Sequence, residues 1–521
     1  MKRVLTFLLT TVMILSLFVG CGKEEKKEET LADKKFSSFA VGYGKADISP
    51  DYSTKISIIG NNDHNTRLST GLLEPLMATC IAFTDTDGTT VLVYGLDLHA
   101  TDLGVIEAVR EQLTEKTGVP GENMEFNCTH NHCGPAQSVT SGLPAIEKYG
   151  KLLVERCVEA GVQALETRKE AKMYTTFTRP EEMVFTRHYI MKDGEYEGNS
   201  YDRIPAGQFL GFSEKGDNLL QMVKFVREGE KDVILFNWQG HPFSSSQEYY
   251  TYLSGVSPAY TRRFLLEMAD VESIYIMGGS GNNVQQPWNS ENRIFKDNVA
   301  YGKTLAQKMI DAFDTFKEAE TGKIYRVYND QYAPPGTKIP NKYTLTAFGF
   351  GDFGYVSAPS EMFQSNAISV RDNSPWKYTI YAQLSNGTGQ GYVPDALTFQ
   401  YKNGSYERGP CKTSAGDGEA FAEEQLKMLN EIFEKSGQTK KEKDEGYITV
   451  EEKTLDERPY TNPNPGGKPI KAKYDFYQVD LMLGISQVRL LVKNEEIAKQ
   501  IMAKKEMKLY FNYSNVVVGV E

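Results

Sequence analysis

Histidine is scarce in this chain: six in 521 residues, at positions 64, 99, 130, 132, 188 and 241. Any chemistry built on imidazole must draw on that short supply. Basic charge is also in deficit, with 58 Lys and Arg against 69 Asp and Glu and a net charge of -11. Binding to nucleic acid depends on clustered Lys and Arg, so nucleic acid is excluded as a partner. Cysteine beyond Cys21 is limited to Cys80, Cys128, Cys133, Cys157 and Cys411. Five without regular spacing indicate no disulfide framework. After residue 21 no apolar run is long enough to span a bilayer. No internal repeat is visible. The glycine-rich stretch Gly278-Gly279-Ser280-Gly281 lacks the lysine and spacing of a phosphate loop.

The N-terminus does carry an apolar run. Met1-Lys2-Arg3 is a basic start, Val4 to Val19 is hydrophobic, and Gly20-Cys21 closes it. This is the pattern of a secretory signal over 1–20, too short for an ordinary membrane span. Phe18-Val19-Gly20-Cys21 resembles a bacterial lipobox, which implies lipidation at Cys21 and a protein held at the outer face of the cell membrane; an uncleaved N-terminal anchor is the alternative. Residues 21–38 contain the charged run Glu24 to Lys35, poor in groups to bury, and read as a tether. A main domain over 39–440 and a small accessory region over 441–521 follow, with Gly437 to Glu445 as a charged linker.

From Phe39 onward strand-like and helix-like segments alternate, which predicts an α/β fold: a mixed β-sheet core flanked by helices, with a β-rich C-terminal region. Val91 to Leu98 reads as a buried strand, followed by a helix to about Lys116 capped by Asp102 and ended by Gly118 and Pro120. Ala145 to Thr167 and Ala415 to Ser436 read as amphipathic helices. Val233 to Trp238, Ser273 to Met277 and Tyr378 to Leu384 read as further strands.

Asn123 to Phe126 is a strand running out into Thr129-His130-Asn131-His132-Cys133. In extended backbone, residues two apart share a side, so His130 and His132 would present two imidazoles in one direction. Spacing alone leaves two readings, a metal site or a pair of hydrogen-bonding histidines. His241, just past another strand, is similarly ambiguous. Ser360-Glu361 after Pro359 reads by itself as a helix start.

Landmarks from about Val41 to Arg408 resemble the neutral/alkaline ceramidase family. Thr129-His130-Asn131-His132-Cys133-Gly134-Pro135 stands where the family has Thr-His-Thr-His-Ser-Gly-Pro. Gly240-His241-Pro242, Pro359-Ser360-Glu361 and Tyr392-Val393 match its later landmarks in order. The resemblance implies one zinc ion held by His130, His241, Glu361 and Tyr392, with His132 binding the developing oxyanion or shuttling a proton. Arg187 would bind a substrate oxygen. It implies hydrolysis of an amide in a lipid-like or N-acyl substrate. One departure stands out: the family's catalytic serine, in Gly-Asp-x-Ser-Pro, is absent from Gly281-Asn282-Asn283-Val284-Gln285. A surface-binding lipoprotein without turnover, and a purely structural metal, are therefore the competing expectations. Cys133 beside His132 offers a thiol nucleophile as a rival mechanism.

Overall fold

The computed structural model describes residues 30–521 apart from 52, 61–65, 192–195, 199–208, 213, 243–246, 287–293, 337–341, 388, 390, 401–405, 450–453, 473–475 and 512–515. The expected signal segment, Cys21 and His64 lie outside the described residues. Among those described, no helix is long and apolar enough to cross a membrane.

The fold is α/β. Its main sheet runs in the order Glu272–Met277, Val233–Trp238, Leu220–Arg227, Lys169–Thr178, Ala40–Asp47, Met77–Thr84, Thr90–Leu96, Met124–Cys128, with Lys317–Ala319 added beside Lys169–Thr178. The middle of this sheet is antiparallel, whereas the pair at each end is parallel. Each end pair is bridged by a helix: α1 (Leu103–Thr117) at one end, α3 (Val256–Ala269) at the other, with α2 (Pro144–Glu166) packed across the first three strands of the near half. Asp102 caps α1 by accepting from the Gly104 amide, and Gly118 ends it in the left-handed region at φ 78°; this is the start and stop that its sequence predicts. Strands buried on both faces explain the runs Val91-Leu92-Val93-Tyr94 and Val233-Ile234-Leu235-Phe236.

The sheet curls until its two ends face each other. The Met277 amide donates to Asn127 Oδ1 at 2.8 Å, and a side chain on Gly95 would meet the Tyr275 carbonyl. A second sheet, Tyr325–Tyr332, Tyr343–Phe350, Phe353–Ser357 and Tyr378–Ala382, closes on that junction, and its last pair is also parallel. Phe348, Phe350, Tyr355 and Ile380 there share one core with Ile81, Val93, Ile274 and Ile276. Three parallel pairs therefore release their carboxyl ends at one place, the position where α/β folds seat ligands.

Two stretches differ from the sequence expectation. The end of the tether is ordered: Leu31–Asp33 forms a helical turn whose Leu31 and Ala32 pack on the core beside α2, and Arg168 donates to the Leu31 carbonyl. Its apolar pair was hidden among charges. The charged run at 437–445 is no free linker either. Lys441 pairs with Asp352, Asp444 accepts from the Tyr378 hydroxyl, and Tyr447 is fully buried against Gln221 and Thr379. Charges looked solvated in the sequence but find partners on the main domain.

The C-terminal strands Thr454–Thr461, Glu506–Phe511, Val517–Val520, Ser486–Val492 and Tyr477–Leu483 form a ring, because the last also pairs with the first. The helix Glu495–Ala503 packs on this small barrel. Leu397 of the main domain meets Leu491 and Val516 of the barrel.

Candidate metal centre

Four of the chain's histidines meet where the parallel pairs end. Thr90–Leu96 and Met124–Cys128 run in parallel with Leu96 level with Cys128, so His99 and His130 emerge side by side. His241 follows Val233–Trp238 and reaches in from the facing end of the sheet. Glu361 opens a two-residue strand, Glu361–Met362, paired in parallel with Tyr392–Val393, so that Glu361 lies level with Tyr392. The helix expected at Ser360-Glu361 begins later, at Gln364, with Phe363 at its N-cap.

Single ligand atoms of His130, His241 and Glu361 lie within 4.8 Å of one another, and all three residues are buried. His130 Nδ1 is 2.8 Å from the His99 carbonyl; a carbonyl only accepts, so Nδ1 carries a proton, and the neutral ring would offer the Nε2 lone pair. That is how a metal-binding histidine is usually oriented. His241 Nδ1 is turned in the same way toward the Ser280 carbonyl at 3.3 Å. His130 Nε2 then stands 3.1 Å from Glu361 Oε2. Both atoms are buried, and neither has a hydrogen-bond partner among the described residues. In a dry site this approach calls for a cation between the two atoms, a proton or a metal ion.

Burial, followed by the neighbouring His130, pushes the His99, His132 and His241 imidazoles well below their ordinary range. Neutral imidazole is the form that ligates metal. Burial pushes the Tyr392 phenol well above its range; Glu361 adds to this, and Arg187 opposes it. A bound dication would favour the phenolate more strongly than either neighbour. The donor set of two imidazoles, a carboxylate and a phenol fits zinc.

The sequence expectation for His130 and His132 rested on extended backbone. His130 instead adopts φ 59°, so the chain turns between them. The two rings still meet at 5.1 Å, edge to face, because the turn folds His132 back, and its Nε2 lies 2.9 Å from His241 Nε2. Arg187, expected to hold a substrate oxygen, is anchored within the site. It is buried, with Nη2 3.1 Å from Glu407 and also donating to the Gly281 carbonyl, while its guanidinium stands 5.5 Å over the Tyr392 ring. Burial works against the Glu407 charge, but Arg187 and His188 together bring its carboxyl down to about 2. Cys133 is fully buried, with its sulfur 3.5 Å from Arg67. No disulfide forms among the five described cysteines.

Two residues were missed by sequence reasoning. His99 carries no motif; its one signal was its place just past a buried strand, three residues after Leu96, as His130 comes two after Cys128 on the neighbouring strand. Glu407 stands in no motif that marks it as a site residue. At the serine-replacing loop, Val284 is buried and Asn283-Val284 pairs with Phe185-Thr186. The Ser280 carbonyl faces His241, whereas its hydroxyl accepts from Gln383 at 2.6 Å. A side chain on Gly281 would stand 2.6 Å from the Glu361 carbonyl, so the loop packs directly on the carboxylate's backbone.

The same loop rests on Glu214, whose carboxyl accepts from Asn282 at 2.6 Å. Burial, then Asp395, pushes Glu214 up to about 8, so it is neutral at pH 7. With the folded value above the unfolded one, its contribution to stability is complete below about pH 4.3 and is lost as pH rises through 8. Glu214→Gln is therefore expected to gain stability on the wild type across that window, by up to about 1.4 kcal/mol per pH unit. Urea denaturation of both at pH 5 and pH 9 checks this; parallel curves would contradict it.

Among solved structures, the chain is similar to a ceramidase complexed with C2 (TM-score 0.60, 12% identity, covering 85% of this chain and 84% of that one). It is also similar to neutral ceramidase from Pseudomonas aeruginosa (TM-score 0.60, 12% identity, covering 93% of this chain and 98% of that one). At that identity the likeness establishes a neutral ceramidase-like fold. No family model matches the chain, and no match is found among curated proteins.

Proposed function

We propose that this chain is a zinc-dependent amide hydrolase acting on an N-acyl, lipid-like substrate, with His130, His241, Glu361 and Tyr392 holding the ion. The observation that carries the reading is the buried convergence of one ligand atom each from His130, His241 and Glu361 to within 4.8 Å of one another. The shared fold with a ceramidase complexed with C2 supports the substrate class.

When bound, zinc supplies Lewis acidity that polarises an amide carbonyl and renders water acidic enough to attack at neutral pH. The protein's own groups do the rest. His130 and His241 are oriented by the His99 and Ser280 carbonyls and so offer fixed lone pairs. His132, neutral and half-buried beside His241, is placed to take a proton from attacking water and return it to the leaving amine. Arg187, fixed by Glu407, lies over Tyr392 and favours its phenolate.

Val284 at the serine's position favours a second reading, a surface-binding protein without turnover. We further propose attachment to the outer face of the membrane through a lipidated Cys21, which would bring the site to lipid substrates. The test is fatty-acid release from a short-chain N-acyl sphingosine by the metal-stripped chain with and without added zinc. Zinc-dependent release supports hydrolysis. Binding of the amide without release, at full zinc occupancy, would favour the second reading.

A further inference from the structure

His99 has no role in the centre described above beyond lending its carbonyl to His130, yet its ring faces the cluster. Ligand atoms of His99, His130 and His132 also lie within 4.8 Å of one another. The ring centroids are 4.2 Å apart for His99 and His130, 5.1 Å for His99 and His132, and 5.1 Å for His130 and His132. With a metal–nitrogen bond of about 2 Å, a ring centroid stands about 3 Å from its ion, so two rings at tetrahedral angles lie about 5 Å apart. Two of the three spacings match that figure. The planes are inclined at 36°, 68° and 89°, so the rings are not a parallel stack. Burial differs as well: His99 and His132 are half-buried, whereas His130, His241 and Glu361 are buried.

Resting on the metal reading of this cluster, we propose a second seat for a divalent transition-metal ion, formed by His99, His130 and His132, which fills in exchange for the His130–His241–Glu361 seat. Exchange follows from the proton on His130 Nδ1, which is held by the His99 carbonyl at 2.8 Å. His130 has one lone pair to give and serves one ion at a time. Charge points the same way: beside Glu361 and Tyr392, the four imidazoles bring no further anion, and two dications would be poorly compensated.

The two seats differ in chemistry. The inner one mixes nitrogen with carboxylate and phenol oxygen. The outer one is all nitrogen. Imidazole donors suit copper, nickel and zinc, and Cu2+ heads the affinity order for divalent ions. Cu2+ is therefore the probe for the outer seat, and its electron paramagnetic resonance spectrum reports the nitrogens bound.

The experiment uses the full chain stripped of metal and carrying His241→Ala and Glu361→Gln, which dismantle the inner seat. This variant is expected to take up about one Cu2+ per chain with nitrogen hyperfine structure from His99, His130 and His132. Adding His99→Ala should weaken that binding at least about tenfold and remove one nitrogen from the spectrum, with the circular dichroism unchanged. Should His99→Ala disturb folding, His132→Ala in the same background is read in the same way. The proposal is overturned if the double variant takes up no Cu2+, or binds it equally with and without His99. It fails independently of the proposed function. A wild-type chain that rejects zinc would end the hydrolase reading, while copper uptake by the double variant, lost with His99, would uphold the outer seat.

Discussion

Replacing His130 by alanine is expected to remove both the metal and the hydrolysis. His130 is the residue on which the centre converges: its Nε2 faces Glu361, its ring touches those of His99, His132 and His241, and its Nδ1 is fixed by a main-chain carbonyl. Zinc held by a full ligand set gains about 10–16 kcal/mol, so one of four ligands accounts for roughly 3 kcal/mol. At 1.4 kcal/mol per factor of ten, His130→Ala should weaken zinc binding roughly a hundredfold. Competition against a chelator of known affinity measures this directly. Cys133→Ser, three residues on and buried against Arg67, should leave zinc affinity unchanged. Equal affinity in wild type and His130→Ala would remove the centre from the account.

The second large effect concerns stability. Asp97 is fully buried at the end of Thr90–Leu96 and receives both guanidinium nitrogens of Arg262 from α3, one at 3.0 Å, as well as the Met77 amide at 2.9 Å. This pair ties the near end of the sheet to the helix that bridges the far end, and so joins the strand that delivers His99 to the unit that delivers His241. Asp97→Ala leaves a guanidinium buried without its counter-charge, a change that costs about 3–5 kcal/mol. The double variant Asp97→Leu with Arg262→Met removes both charges and should recover most of that loss, because a buried pair and a well-packed apolar replacement are often nearly equal in stability. Urea unfolding of the three chains decides it. A single variant no less stable than the wild type would mean that the pair does not hold the two ends together.

Much of this arrangement was legible before any coordinates. Strand boundaries at Val233–Trp238 and near Val91 follow from β-branched, apolar runs, and the Asp102 and Gly118 punctuation of α1 is local chemistry. The histidine pair stood out because histidine is so rare. What local sequence could not carry was pairing over distance. Glu361 looks like a helix start until its two-residue strand is seen beside Tyr392, 31 positions on. His99 looks like any residue after a strand until Leu96 is seen level with Cys128. The geometry of His130 and His132 was misjudged for a local reason, since a left-handed residue at position 130 cannot be read from a sequence with no glycine there. The ion pair that holds Arg187 could not be read locally either, because its partner Glu407 lies 220 positions away and is buried.

The measurement that tests the central claim most directly is the zinc content of the full chain, by elemental analysis after dialysis against trace zinc, beside Glu361→Gln and Tyr392→Phe. The account predicts about one zinc per wild-type chain, with less retained by each variant. A wild-type chain that holds no zinc, or variants that hold as much as the wild type, would contradict it.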